Sequence, residues 1–179
     1  MKKIILLFMF LFLFGCELSN NPSSKVSAYL DNYNVLSDEV LENIEVKSSN
    51  EGLNNENRNL YKNVLKREYE TLKYDIKDVS INGNQAKVIT KINVIDLYKS
   101  EEETLEYLAS YSSEFEDESG LFNNDKFNNY RLKRMLDSNE RVDYEVVFNL
   151  NKKNGEWILV EPGREDLEKI HGLYNYEKN

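Results

Sequence analysis

Catalysis by a thiol, an imidazole or a metal needs those groups in company, and this chain supplies them singly. It has one cysteine, Cys16, and one histidine, His171, at opposite ends of 179 residues. A lone histidine lacks the further ligands of a zinc site and the nucleophile of a triad. Its place beside Gly172, where a short helical pattern stops, suits a surface or helix-capping role. Carboxylates are plentiful, 32 against 23 basic residues, and any two meeting in a pocket would serve paired-carboxylate chemistry, but no spacing singles out a pair. The runs Glu101-Glu102-Glu103 and Glu114, Glu116, Asp117, Glu118 lack the Asp/Asn alternation and glycine of a calcium loop, so a solvated helix face explains them better. Lys126, Arg131, Lys133 and Arg134, interleaved with Phe127 and Tyr130, form the one basic and aromatic patch. An anionic ligand would suit it, and so would simple packing, with rings turned inward and charges outward. Neither a metal nor a cofactor is expected.

The aromatics are the remaining candidates: twelve tyrosines, eight phenylalanines and one tryptophan. Tyr74, Tyr98, Tyr144, Phe148 and Trp157 fall on or beside predicted strands and are the candidate lining of a ligand pocket. Core packing is the simpler account, because aromatic and β-branched residues favour strands in any case.

The cysteine has a context of its own. Lys2 and Lys3 precede Ile4 to Phe14, an apolar run of eleven residues that fits the hydrophobic stretch of a secretory signal and is too short to span a bilayer, which takes about 20. The run ends in Leu13-Phe14-Gly15-Cys16, which resembles the lipobox of bacterial lipoproteins. That resemblance implies removal of residues 1–15 by cleavage between Gly15 and Cys16, and lipidation of Cys16. It also implies a domain held at the cell membrane and facing out of the cytoplasm, extracellular or periplasmic. A single acyl chain binds only marginally at about 0.8 kcal/mol per buried methylene, so lasting attachment takes two or three chains on one residue.

Loss of residues 1–15 leaves 164, and loss of Lys2 and Lys3 takes the formal charge from −9 to −11. This length suits one domain. No cysteine remains for a disulfide, so the core must carry the fold. The acidity argues against nucleic acid as a partner and against binding to anionic lipid through the protein surface.

The elements follow in order. Residues 16–25 read as the lipidated cysteine and a polar tether, and residues 26–179 as one domain. Val26, Tyr29, Leu30 and Tyr33 have helical spacing, with Ser23 or Ser24 as N-cap, and a second helix starts at Ser37-Asp38-Glu39. Lys47 to Asn59 reads as a polar loop, and Leu60 to Leu72 as a third amphipathic helix. Tyr74–Ile81 and Ala86–Leu97 flank Asn82-Gly83-Asn84 as a hairpin, with Ala86, Val88, Thr90, Ile92 and Val94 on one face. Leu105, Leu108, Tyr111, Ser112 and Phe115 form one helical stripe, and Phe127 to Leu136 a further helix. Val142, Tyr144, Val146, Phe148 and Leu150 alternate with polar positions, and a second turn at Asn154-Gly155 leads to a return strand from Trp157, stopped by Pro162. A last helix runs from about Arg164 to Ile170.

Helices first, then two hairpins separated by helices, predict an α+β fold with N-terminal helices on a curved antiparallel sheet of about four strands. The segments YETLKYDIKDVSINGNQAKVITKINVIDL (69–97) and YEVVFNLNKKNGEWILV (144–160) resemble cystatin-like and nuclear-transport-factor-like domains of bacterial lipoproteins. That resemblance implies a concave sheet face enclosing a pocket. The function expected is therefore a membrane-anchored, non-enzymatic domain that binds a small ligand or an envelope protein. The alternative is a carboxylate-dependent hydrolase or isomerase using the concave pocket, since some members of the resembled superfold are enzymes.

Overall fold

The structure, a computed structural model, describes residues 20–178. The leader, Gly15, Cys16 and the first residues of the tether lie outside the described residues. Helix α1 spans Pro22–Asn34 and opens on a reciprocal cap: the Asn21 side chain accepts from the Ser24 N–H at 2.8 Å while Ser24 Oγ accepts from the Asn21 N–H at 3.3 Å. Pro22 occupies the first helical turn, where its fixed φ helps and its missing N–H is no loss. The tether expected to run through Lys25 therefore stops by residue 20, because the proline that looked like a breaker starts the helix. Just before the cap, Asn20 donates through Nδ2 to the Gly155 carbonyl at 2.9 Å and accepts at Oδ1 from the Trp157 N–H at 3.1 Å.

Helix α2 spans Asp38–Asn50 with Ser37 as its N-cap, and α3 spans Asn55–Thr71 with Asn54 as its N-cap. The polar loop expected over Lys47 to Asn59 contracts to residues 51–54. Its asparagines act as helix determinants: Asn54 caps α3, and the buried Asn57 donates to the Asp125 carbonyl at 2.9 Å.

Four strands, β1 (Lys73–Asn82), β2 (Gln85–Ile95), β3 (Arg141–Lys153) and β4 (Glu156–Leu159), pair antiparallel in sequence order. Both hairpins turn where expected. At the second, Asn154 and Gly155 both take positive φ, 52° and 86°, the pair of conformations that a two-residue turn between right-twisted strands demands. The central β2–β3 pairing joins the hairpins, setting Val88 opposite Phe148 and Ile92 opposite Tyr144. This inner face is buried. Val26 and Leu30 of α1, with Ile170 from the C-terminal helix, complete a core with Val88, Ile92, Val146 and Phe148. Each such side chain contributes about 1.5–3 kcal/mol when taken out of water. The fold is thus α+β with the N-terminal helices before the sheet, and α1 together with the C-terminal helix covers the inner face.

Helix α4 spans Leu97–Ser110, capped by Asp96, whose side chain accepts from the Lys99 N–H. The expected stripe through Leu105 and Tyr111 is not the buried side: these two are 44% and 52% exposed, whereas Leu97, Tyr98, Ser100 and Thr104 are buried. The helix ends at Tyr111, where φ is −136°, so a pattern read across that break belongs to two elements. Phe115 lies on its own 3-10 turn (Ser112–Phe115) and meets Phe127 and Tyr130 of α5 (Asn124–Asp137) edge-on. Helix α6 spans Arg164–Ile170, with His171 at its C-cap. No helix among the described residues is long and apolar enough to cross a membrane.

Candidate functional site

The five aromatics expected to line a pocket do not share one. Tyr144, Phe148 and Trp157 are buried in the main core and Tyr74 packs against it, with the Tyr74 hydroxyl donating to Asp31 at 2.7 Å. Tyr98 is buried elsewhere, on α4, its ring 5.0 Å from that of Tyr176. Tyr144, Phe148 and Trp157 turn toward α1 and close the core, while Tyr74 and Tyr98 border two separate surface concavities. Two of the four cations of the basic patch are paired, Arg131 with Glu101 at 3.0 Å and Arg134 with Glu103 at 3.1 Å. The acidic run after α4 turns on itself, Asp117 accepting from the Ser119 and Leu121 N–H groups. No group of three His, Cys, Asp or Glu among the described residues is arranged to hold a metal ion.

The open space lies on the helical side. A cavity of about 630 Å³ is bounded by Tyr29 and Tyr33 of α1, by α2, by Tyr69 of α3, and by the segment from Leu159 to His171. Helix periodicity explains what each element offers. Tyr29 and Tyr33 are one turn apart, and so are Glu39, Asn43 and Lys47, while Ile44 points into the helical core and Val40 belongs to that core and borders the cavity.

The rings step across the cavity in contact. The Tyr29 and Tyr33 hydroxyls are 3.2 Å apart. The Tyr33 ring lies 4.9 Å from that of Tyr69 and 6.1 Å from that of His171, spacings typical of favourable edge-to-face aromatic pairs. At the inner end His171 joins two elements, Nε2 lying 2.7 Å from Lys47 Nζ and Nδ1 lying 3.0 Å from the Tyr69 hydroxyl. With Lys47 as ammonium, Nε2 accepts and Nδ1 carries the proton, donating to the Tyr69 oxygen.

The electrostatics follow from the same packing. Burial, with the Lys47 ammonium second, pushes the His171 pKa down to about 3. Such an imidazole stays neutral near pH 7 and is a poor proton shuttle there. Burial lowers the Lys47 pKa, with Glu51 acting against it. Burial also raises the phenols of Tyr29, Tyr33 and Tyr69 above their ordinary value, so they remain neutral hydrogen-bonding groups. The charges of Glu39 and Glu161 bear on Tyr29, which sets both carboxylates at the outer end, where they are exposed. The carboxyl driven strongly upward by burial, Glu68, does not line this cavity. What the arrangement can do is hold a molecule between aromatic walls, with a cation at one end and two carboxylates at the other.

Sequence reasoning passed over these residues, His171 apart, because they sit on four helices, a strand end and a loop and meet only through packing. The readable signals were the Tyr29/Tyr33 repeat and the Glu39/Asn43/Lys47 spacing, each of which puts its residues on one face of a helix. Comparison with models of protein families, with curated proteins and with solved structures found no match to this chain.

Proposed function

We propose that this chain is a membrane-anchored lipoprotein whose extracytoplasmic domain binds a small ligand without transforming it, in the cavity between α1, α2, α3 and α6. The observation that carries this reading is the cavity itself: about 630 Å³, within the range of about 300–1,000 Å³ common for small-molecule sites, walled by aromatics with a few convergent polar groups. A neutral imidazole and carboxylates confined to the mouth supply no buried acid pair, which favours binding over the carboxylate-dependent hydrolase or isomerase. A concave site of this size also suits a small ligand better than the flat face of an envelope protein.

The binding reading is tested with p-cresol, a phenol sized to pack edge-on against tyrosines. Titrated into the full chain in detergent, it is expected to shift the backbone amide resonances of Asn43, Lys47 and Gly172. In Asn43→Trp, where indole fills the cavity, those shifts are expected to vanish. Shifts spread over unrelated surfaces, or unchanged in Asn43→Trp, would reject the cavity as the site.

The location is supported by the Leu13-Phe14-Gly15-Cys16 context alone. Cys16→Ala is expected to abolish incorporation of labelled palmitate and to leave residues 1–15 attached. Undiminished incorporation would overturn the anchor.

A further inference from the structure

The ends of the cavity carry opposite charges that form no ion pair among the described residues. Glu39, Asn43 and Lys47 lie at i, i+4 and i+8 on α2, all lining it, so the wall that α2 supplies runs about 12 Å from Glu39 to Lys47, eight residues at about 1.5 Å each. At the first end Glu39 is joined by Glu161, and neither has an ion-pair partner among the described residues. At the other end Lys47 likewise has none. It gives one N–H to His171, which is neutral, and keeps two. Among the described residues the Glu51 charge is felt there, and it lies beyond ion-pair distance. Between the ends are the Tyr29 and Tyr33 hydroxyls and the Asn43 amide, with Val40 and Leu167 as apolar wall.

The geometry points to a short peptide with both termini free as the occupant of this cavity, its ammonium at Glu39 and Glu161 and its carboxylate at Lys47. An extended tripeptide spans about 10 Å, comparable with the roughly 12 Å of α2 between Glu39 and Lys47, and its amide groups meet hydroxyl and amide partners along the way. A ligand with one charge would leave the opposite end unanswered, and a simple amino acid is too short to touch both. Charge complementarity of this kind sets specificity more than raw affinity. The inference rests on the cavity being a ligand site, as proposed above, and adds the class of ligand.

Four peptides separate the two claims: Ala-Leu-Ala, its N-acetyl form, its C-terminal amide and the doubly capped form, each titrated into the full chain and followed at the amide resonances of Asn43, Lys47 and Gly172. The free tripeptide is expected to bind at least tenfold more tightly than either singly capped form. Lys47→Met is expected to make the free acid and the amide equivalent, and Glu39→Gln with Glu161→Gln to make the free and acetylated peptides equivalent. Equal binding of free and doubly capped peptide at these resonances would overturn the ligand class and leave the cavity as a site. Silence with all four would overturn it too, and p-cresol added to the same sample then reports whether the cavity reading falls with it.

Discussion

Between pH 4.5 and pH 8 the protein is expected to lose about 3 to 5 kcal/mol of stability through one residue, Glu68, and Glu68→Gln is expected to remove that loss. Glu68 sits on α3 with 0% of its surface exposed, Oε2 accepting from the Ile95 N–H at 3.0 Å and Oε1 without a hydrogen-bond partner among the described residues. Burial pushes its pKa up from 4.5 to about 8. The Ile95 hydrogen bond and the more distant Arg141 and Arg67 act the other way and do not offset it. In the unfolded chain the carboxyl ionises near 4.5 and in the folded one near 8, so between those values the unfolded state releases a proton that the folded state retains. A folded pKa raised in this way gives stability fully present below pH 4.5 and lost as pH rises through 8. His171 works in the opposite sense, its folded pKa of about 3 against an ordinary 6.5 making stability rise with pH across that interval. Wild type should therefore show a domed profile, and Glu68→Gln one that climbs from acid and then levels. Urea unfolding of both from pH 4 to 8.5 checks this, and parallel profiles would refute it.

Gly172→Ala is expected to cost on the order of 3 kcal/mol or more, far beyond an ordinary glycine substitution. Gly172 has φ of 67°, and a Cβ there would lie 2.2 Å from the Ile95 carbonyl oxygen and 3.4 Å from its carbon. Those atoms are backbone at the end of β2, and the same peptide region is tied on both sides: the Ile95 N–H is held by Glu68, and the Gly172 carbonyl accepts from the Tyr98 N–H at 2.9 Å. No flexible side chain can give way, so α6 would have to lift off the sheet. Gly155→Ala supplies the comparison. Its φ is also positive, 86°, but nothing lies within 4 Å of the added carbon, so only the conformational penalty of about 1–2 kcal/mol applies. Equal losses for the two variants in denaturant titrations would show that the close approach at Ile95 is not what demands glycine.

The sheet was legible because its information is local. Asn154-Gly155 names its own turn, and the alternation from Val142 to Leu150 fixes which face goes in before anything packs there. Capping was only half legible: Asn21 and Asn54 look like loop residues until a helix is seen to start on them, since the same side-chain oxygen that favours a turn also receives the first helical N–H groups. The cavity was not legible. Strand aromatics drew attention, yet strands facing a helix bury their rings, and the rings left open were those of Tyr29 and Tyr33, on a helix that shows one edge to the core and one to a gap. His171 could be discounted from sequence for want of a second histidine. Its partners, Lys47 and Tyr69, lie 124 and 102 positions away, and no spacing rule reaches so far.

Asn20 gives the last consequence. It stands four residues beyond Cys16, and both polar atoms of its side chain are already engaged by the turn between β3 and β4. On a lipid attached at Cys16 the four residues to Asn20 would reach at most about 14 Å, and Tyr29 lies about 10 Å farther along α1, so the cavity would stand within about 25 Å of the bilayer. Such a domain could tilt but could not roam. Its catchment would be the thin layer of solution next to the headgroups, and its encounters would be governed by what diffuses along that layer rather than by what is dissolved beyond it.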